Sequence, residues 1–308
     1  MKPRGAIPWA KVGRVFVGVG LLGAALVWGE RATAAAEPAL RQPAPAKPPP
    51  WPKPDQVLRL WPGDAPGLVP STNVERIVNE RLINVSAPEL WVYLPPKPER
   101  NRASLAICPG GGYGLLAMGL HVGNVVKLFN DQGIAVFGIK YRTRYGTNDV
   151  VNDAVADCAR ALRLVRLHAA EWGLDPARVG LQGYSAGANV CLNLLGRFDA
   201  GNPAATDPAE RFASRPDFMA LMCPWPNGKA AAKYPVREDP PPVFIASARD
   251  DKTAPTAFAL EIAEAVKRQG GRVELFLVPT GGHGAFHYGV GSGPGTKWPD
   301  AFKTMIPR

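Results

Sequence analysis

The sequence predicts an α/β protein with a three-layer α/β/α architecture, in which a mostly parallel, twisted sheet lies between two layers of helices. Short apolar runs alternate along the chain with longer segments of helical periodicity, as expected for a buried parallel sheet with helical crossovers. One apolar run also passes into a helix through a serine flanked by glycines, without an intervening loop. With 308 residues, 46% of them hydrophobic and 20% charged, the chain is long enough for one large core.

Residues 1–36 have the pattern of a secretory signal peptide. An uncharged apolar run, Val15–Trp28, follows four basic residues and precedes an alanine-rich stretch. Because this run is shorter than the roughly 20 residues that cross a bilayer, a signal cleaved after Ala34 or Ala36 is favoured over a signal anchor. The two charged residues before the alanines keep the anchor as an alternative. We therefore expect an exported protein, periplasmic or extracellular, which is tethered to the envelope if the leader is retained.

Residues 37–54 are dense in proline and are predicted to form an extended, unpacked spacer before a folded domain at residues 55–308. The formal net charge is +10, but residues 1–36 hold five basic side chains and one acidic, which leaves +6 for the remainder. The remaining lysines and arginines are scattered and do not alternate with aromatic residues. Nucleic acid is therefore not expected as a partner, and no membrane contact is expected beyond the anchor alternative.

The four cysteines are widely spaced and fall within predicted strands or helices. They form no C-x-x-C pair and no cluster with histidine, so neither a metal site nor a cofactor is predicted. Export would permit disulfides in three connectivities, but buried free thiols are favoured. These residues are Cys108, Cys158, Cys191 and Cys223.

Strands and helices are predicted in the following order. Three early antiparallel strands cover Val57–Trp61 and the pair Arg76–Val85 and Glu89–Leu94, with the bend of the pair near the sequence SAP. Six apolar runs then have the composition of strands buried on both faces: Ser104–Cys108, Ile134–Tyr141, Arg178–Gly183, Phe218–Cys223, Val243–Ala248 and Val273–Val278. Helices between them are predicted at His121–Gln132, Asp149–Glu171, Ala186–Arg197 and Pro255–Gln269.

The sequence GYSAG at Gly183–Gly187 places Ser185 at the junction of a predicted strand and a predicted helix. A serine on such a turn projects its hydroxyl above the sheet edge, and flanking glycines are needed where a side chain would collide with neighbouring elements. The N-terminus of the following helix also favours negative charge. A helix-capping serine beside ordinary turn glycines is the alternative, and the strand-to-helix context argues against it.

A serine nucleophile needs a base, and the base needs an orienting acid. Of the four histidines, only His283 and His287 follow Ser185, and His283 comes directly after the last predicted strand within a glycine-rich loop. We therefore expect His283 to be the base, with His287 in reserve. Asp250 and Asp251 both end the preceding strand and are both suitable by position.

The sequence CPGGGY, which follows the first of the six buried strands, provides backbone amides for a developing oxyanion. Three successive glycines allow amides to turn toward one point, where the amide of Ala186 would join them. A phosphate loop is the alternative, but the lysine and the serine or threonine that such a loop requires are missing.

From about Val57 to Gly284, the chain resembles the α/β-hydrolase superfamily, and within it the exported bacterial carbohydrate esterases of acetyl xylan or feruloyl type. The motifs that carry the resemblance are CPGGGY, GIKYR, AEWGLDPARVGLQGYSAG, RPDF, DDKTAP and GGHG. The resemblance implies that residues 55–308 are a catalytic domain. It also implies that Asp251, four residues before a proline, is the orienting acid.

The resemblance further assigns roles to single residues. It implies Ser185 as nucleophile, His283 as base, and Gly111, Gly112 and Ala186 as oxyanion donors, with Tyr113 beside them in the substrate site. Two departures stand out: Pro109 replaces the histidine of lipase-type HGGG motifs, and the HVG sequence at His121 lacks an acidic residue that the family leads us to expect.

The link of about 20 residues between the strands that end at Cys223 and begin at Val243 is rich in proline. So short a link predicts a site without a sizeable cap domain, and Trp225 either forms a wall of the acyl or sugar site or only packs. We expect a serine esterase, without metal or cofactor, acting on an acylated carbohydrate or another small ester. The alternatives are a peptidase of prolyl-oligopeptidase type and a non-catalytic scaffold at the envelope.

Overall fold

Strands and helices alternate through the part of the chain that a computed structural model describes, which is residues 51–70, 72–96, 101–290 and 293–307. The strands are β1 (Gln56–Arg59), β2 (Arg76–Val78), β3 (Arg81–Ile83), β4 (Glu89–Tyr93), β5 (Ser104–Cys108), β6 (Leu115–Leu116), β7 (Ala135–Lys140), β8 (Val179–Tyr184), β9 (Phe218–Met222), β10 (Val243–Ala248) and β11 (Val273–Val278). The α-helices are α1 (Asn124–Asn130), α2 (Val150–Leu167), α3 (Ala169–Trp172), α4 (Ala186–Leu195), α5 (Thr256–Arg268) and α6 (Trp298–Phe302).

The main sheet has eight strands in the order β1-β4-β7-β5-β8-β9-β10-β11. The six strands from β7 to β11 in this order run parallel, whereas β4 is antiparallel to both of its neighbours, β1 and β7. The predicted α/β fold with a mostly parallel sheet is therefore confirmed. Each of the six predicted buried runs coincides with a strand to within one residue at either end. Every residue of β5, β7, β8, β9 and β10 is buried, because helices cover both faces of the sheet.

The predicted pairing of Arg76–Val85 with Glu89–Leu94 is wrong. The first segment folds back on itself as the hairpin β2–β3, which joins β6 in a separate three-stranded sheet. The turn consists of Asn79 and Glu80, whose φ angles of 46° and 63° reverse the chain in two residues. Strand β4 instead pairs with β1 and β7 in the main sheet.

The four predicted helices are present with shifted ends. Helix α1 is preceded by a π-helical turn at Gly119–Gly123. The longest predicted helix is divided at His168 into α2 and α3, and it begins where the Asp149 side chain accepts a hydrogen bond from the amide of Asn152. Gly173, at φ 67°, ends it. No helix among the described residues is both long enough and apolar enough to span a bilayer.

The predicted leader, residues 1–36, and most of the predicted spacer lie outside the described residues, so the predicted boundary between leader and spacer remains a prediction. The last four spacer residues, 51–54, are described. Trp51 is buried, stacks on Trp91 with ring centroids 6.4 Å apart, and packs against the backbone of Gly119 and Gly123. Its packing shows that the folded core extends at least to Trp51, four residues before the predicted domain start.

A buried ion pair joins the carboxyl edge of the sheet to α2. The side chains of Arg142 and Asp157 are both fully buried, with Nε to Oδ2 at 2.9 Å and Nη2 to Oδ1 at 2.9 Å. The same carboxylate accepts from the indole of Trp61 at 2.8 Å. The neighbouring Tyr141 hydroxyl donates to the carbonyl of Pro109 at 2.6 Å. This cluster therefore fixes the start of the glycine loop that follows β5.

Replacing Asp157→Ala should lower the free energy of unfolding by about 3 kcal/mol, because the buried Arg142 guanidinium would lose its two-point partner and keep only Asp153 Oδ2, which lies 3.4 Å from Nη1. Urea denaturation followed by circular dichroism measures the change. As a matched control, Asp131→Ala removes an exposed i,i+4 partner of Lys127 and should change the same quantity by less than about 0.5 kcal/mol. Equal effects of the two substitutions would contradict the structural role given to the buried pair.

Candidate active site

Ser185 lies at the turn between β8 and α4 in a backbone conformation that non-glycine residues rarely adopt. Its φ is 54° and its ψ is −115°. The Ser185 amide donates to the carbonyl of Met222 at the end of β9, 2.9 Å away, which holds the turn against the neighbouring strand. The side chain is half-buried at the carboxyl edge of the sheet. The local structure is the sharp strand-to-helix turn that the sequence predicts.

The two glycines of the motif are required by close backbone approaches. A Cβ atom on Gly183 would lie 2.4 Å from the carbonyl oxygen of Gly187. A Cβ atom on Gly187 would lie 2.0 Å from the carbonyl oxygen of Cys108, the last residue of β5. Neither distance is compatible with a side chain, so the motif brings α4 into direct contact with the end of β5.

The structure brings Ser185, His283 and Asp251 into one hydrogen-bonded line. His283 Nε2 lies 2.8 Å from Ser185 Oγ, and His283 Nδ1 lies 2.7 Å from Asp251 Oδ2. The other carboxylate oxygen accepts from the amides of Thr253 and Ala254, at 2.8 and 2.9 Å. The Asp251 side chain is fully buried and the imidazole is 30% exposed. A carboxylate can only accept here, so the ring proton of neutral His283 lies on Nδ1 and Nε2 is free to accept from the hydroxyl.

The second aspartate has a different partner. Asp250 accepts from the amides of Gly281 and Gly282, at 3.1 and 2.8 Å, which are the two residues that precede His283. These backbone hydrogen bonds lower the pKa of the exposed Asp250 carboxyl below its usual value. Of the two carboxylates left open by position in the sequence, Asp251 therefore contacts the imidazole, and Asp250 holds the loop that carries it.

The three glycine carbonyls of the loop after β5 all accept hydrogen bonds. The Gly110 carbonyl accepts from the Ala117 amide at 2.9 Å, and the Gly111 carbonyl from two following amides. The Gly112 carbonyl accepts from Arg144 Nη2 at 2.7 Å. Because the N–H of a trans peptide points opposite to its carbonyl, the amides of Gly111 and Gly112 face the other way.

The loop also lies close to the serine turn. A Cβ atom on Gly110 would be 3.1 Å from Ser185 Cβ. Ala186 is the first residue of α4, where an amide has no partner within the helix. The glycine loop and the first residue of α4 therefore both lie beside Ser185.

The two predicted aromatic site residues are placed differently from each other. Tyr113 is only 3% exposed, and its hydroxyl donates to Asn189 Oδ1 at 2.8 Å, so its side chain supports the glycine loop from within. Trp225 is half-buried, with its ring centroid 6.3 Å from that of Tyr113. Its carbonyl accepts from Asn189 Nδ2 at 2.9 Å. Trp225 thus packs against Tyr113 of the glycine loop and remains partly accessible to solvent.

His121 lies beside the site, a placement that the sequence analysis did not anticipate. Its Nδ1 is 2.9 Å from the amide of Gly110, and its Nε2 is 3.3 Å from Nε2 of His287. The reserve base His287 thus faces His121, whereas His283 faces the serine. No signal in the sequence indicated this contact, since His121 precedes Ser185 and belongs to an apolar helical pattern.

One group of side chains among the described residues has donor atoms close enough for a metal ion: Cys223, Asp251 and His283 lie within 4.8 Å of one another. The separation of 2.7 Å between carboxylate and imidazole is that of a direct hydrogen bond. It is shorter than the roughly 3.3 Å between two ligands of tetrahedral zinc at about 2.0 Å each. Burial also raises the pKa of the Cys223 thiol, which disfavours a thiolate ligand. The observed geometry therefore favours the hydrogen bond.

Comparison with known proteins gives one family match and several similar chains. The sequence profile of a family described as BD-FAE matches residues 90–201. An acetylxylan esterase of Xylanibacter ruminicola is 29% identical over 66% of this chain and 44% of its own length. An endo-1,4-beta-xylanase B of Butyrivibrio fibrisolvens is 24% identical over 64% of this chain and 34% of its own length. The chain spans less than half the length of these curated relatives.

A solved structure is similar over most of the chain. It is the acetyl ester-xyloside bifunctional hydrolase from Caldicellulosiruptor lactoaceticus, with a TM-score of 0.64 and 25% identity, covering 81% of this chain and 96% of that chain. These comparisons confirm the α/β-hydrolase fold and the resemblance to esterases of that fold.

Gly187→Ala should lower the free energy of unfolding by about 3 kcal/mol, because the added methyl group would force α4 away from β5. Thermal or urea unfolding of the purified variant measures this. Gly63→Ala is the control, since nothing lies within 4 Å of a Cβ atom at that position, and it should change stability by less than about 0.5 kcal/mol. A stable Gly187→Ala variant would show that the close approach is not rigid.

Proposed function

We propose that the chain is a serine carboxylic ester hydrolase that removes acetyl or other small acyl groups from a carbohydrate. The observation that carries this proposal is the unbroken hydrogen-bonded line from Ser185 Oγ through His283 to the buried carboxylate of Asp251. The line starts at a strained turn that lies beside the glycine loop. This combination is the one that acyl transfer by a serine requires.

In the first step, Ser185 Oγ attacks the ester carbonyl carbon while His283 Nε2 takes the hydroxyl proton. The resulting imidazolium is stabilised by Asp251, which accepts from Nδ1 and remains ionised. Two backbone amides bind the far carboxylate oxygen, so that the carboxylate keeps its orientation as the charge on the ring changes. Burial of this carboxylate strengthens its interaction with the imidazolium.

The negative charge that develops on the carbonyl oxygen is bound by the amides of Gly111, Gly112 and Ala186. Each donor of this kind contributes roughly 3 kcal/mol to transition-state stabilisation, and the N-terminus of α4 adds a favourable dipole. His283 then returns its proton to the leaving alcohol, which leaves an acyl group on Ser185. A water molecule, deprotonated by the same imidazole, releases the acid and restores the hydroxyl.

Two observations support a carbohydrate ester as substrate. The three relatives described above are named as an acetylxylan esterase, an endo-1,4-beta-xylanase and an acetyl ester-xyloside bifunctional hydrolase. In addition, the link between β9 and β10 contains only a three-residue turn, Ala231–Lys233, and the imidazole of His283 is 30% exposed. An open site suits an acyl group carried on a bulky polymer better than a buried lipid. We also propose export, which the composition of residues 1–36 supports.

Ser185→Ala should lower kcat for p-nitrophenyl acetate by at least about 10³-fold, because it removes the nucleophile and leaves the packing of the turn intact. Initial rates measure this, with circular dichroism as the check on folding. Equal rates for the wild-type protein and Ser185→Ala would favour the scaffold alternative.

Acetate release from acetylated xylan, compared with cleavage of short-chain lipid esters and of prolyl peptides, tests the substrate. Preferential cleavage of prolyl peptides would favour the peptidase.

Asp251→Asn should lower kcat by about 10³-fold or more, because the amide no longer stabilises the imidazolium or fixes its tautomer. Asp250→Asn is the matched control: the same chemical change at the adjacent residue should cost less than about tenfold, since it weakens only the anchoring of the loop. Steady-state kinetics on p-nitrophenyl acetate compares them. The reverse order of the two losses would make Asp250 the orienting acid.

A further inference from the structure

Two imidazoles that the proposed reaction does not use lie next to the glycine loop. His121 is 7% exposed and belongs to the π-helical turn before α1, and His287 lies four residues after the proposed base. Their Nε2 atoms are 3.3 Å apart. We refer to His121 and His287 as the imidazole pair.

The hydrogen bonds of the imidazole pair determine its protonation. The Gly110 amide can only donate, so His121 Nδ1, 2.9 Å away, must hold a lone pair. The ring proton of neutral His121 therefore lies on Nε2 and points at His287 Nε2, which must accept it. The proton of neutral His287 then lies on Nδ1. One backbone amide thus fixes both tautomers.

The imidazole pair also contacts the residue that precedes the nucleophile. The His121 ring stacks on Tyr184 with centroids 4.1 Å apart and planes 15° apart, and His287 lies 4.8 Å from the same ring. The Tyr184 hydroxyl donates to the carbonyl of His283 at 2.7 Å. A continuous set of contacts therefore joins the glycine loop, the turn of the nucleophile and the loop of the base.

We propose that His121 is a positioning residue of the oxyanion loop, and that His287 fixes the tautomer in which His121 does so. Gly110 is held on both sides, because its amide donates to His121 and its carbonyl accepts from the amide of Ala117. The amides of Gly111 and Gly112 that follow therefore keep one orientation. The inference rests on the proposed function for its effect on rate, but its structural part is independent of any reaction.

The arrangement holds only while both rings are neutral. A proton on Nδ1 of His121 would face the N–H of Gly110, and a proton on Nε2 of His287 would face the Nε2–H of His121. In either case two N–H groups would face each other without an acceptor. Burial lowers the pKa of His121 well below its usual value, and His287, His283 and Arg81 lower it further. Burial, then His283, lowers the pKa of His287. Tyr184, the other titratable group against both rings, carries no charge, since burial raises its pKa.

The sign of the pH effect follows from these directions. Because both pKa values are lower in the folded state than the roughly 6.5 of an unfolded histidine, the pair contributes stability above about pH 6.5. That contribution is lost as the pH falls toward the folded values. The glycine loop should therefore keep its position below the pH at which exposed histidines become charged.

The structural part is tested by ¹⁵N–¹H correlation spectra of the full chain labelled at its four histidines, assigned with single variants. We expect pyrrole-type Nε2 and pyridine-type Nδ1 for His121, and the opposite tautomer for His287, at neutral pH and below about pH 6.5, where a free histidine side chain becomes charged. A charged ring or the opposite tautomer at His121 at neutral pH would overturn the proposal.

The functional part is tested by His121→Leu and His121→Asn on p-nitrophenyl acetate. Leucine removes the acceptor for Gly110 and should lower kcat about tenfold or more with KM changed less than about twofold, because loop orientation acts on the transition state. Asparagine can still accept through Oδ1 and should keep kcat within about threefold. His168→Asn, the same change at a histidine outside the site, should leave both constants unchanged.

Val155→Ala, a substitution in the core at α2, separates a positioning effect from a general loss of stability. Its kcat is measured under conditions in which the same fraction of the protein is unfolded as for His121→Leu. If this variant loses as much kcat, or if asparagine fails to rescue, the positioning role is wrong. If the wild-type chain hydrolyses no ester while the tautomers are as expected, the proposed function fails and the structural assignment stands.

Discussion

The candidate site depends on a backbone contact between two elements that are far apart in the chain. The end of β5 and the first turn of α4 approach so closely that no side chain fits at Gly187, whose Cβ would lie 2.0 Å from the Cys108 carbonyl. Because the glycine loop starts directly after Cys108 and Ser185 lies two residues before Gly187, this contact places the glycine loop and the Ser185 hydroxyl side by side. A longer strand-to-helix connection would separate them.

Around that contact, the functional loops are held mostly by hydrogen bonds to backbone atoms. Asp250 binds two amides of the loop that carries His283. Tyr141, Arg144 and His121 bind the glycine loop at Pro109, Gly112 and Gly110. Such bonds fix the orientation of peptide groups, which is what an oxyanion site requires, and a hydrophobic contact alone would not do so. The buried pair of Arg142 and Asp157 anchors this layer to α2.

The parallel strands could be predicted because burial on both faces leaves an apolar run with no polar alternation. The sharp turn at Ser185 could be predicted because it requires glycine on either side. The hairpin of β2 and β3 was missed because its turn residues, Asn79 and Glu80, are not the usual Asn-Gly pair. The packing of Trp51 could not be predicted from its proline-rich segment. It depends on the absence of side chains at Gly119 and Gly123, which lie in the turn before α1. The same limit applies to His121, whose role is set by contacts over 11 and 166 positions.

The most direct measurement of the central claim, that His283 and Asp251 activate Ser185, is covalent labelling with a fluorophosphonate followed by peptide mapping. Unlike hydrolysis, it requires no knowledge of the natural ester. We expect one label per chain, on Ser185, at a rate that His283→Ala lowers by orders of magnitude in a folded protein. Labelling of another residue, or equal labelling rates with and without the imidazole, would contradict it.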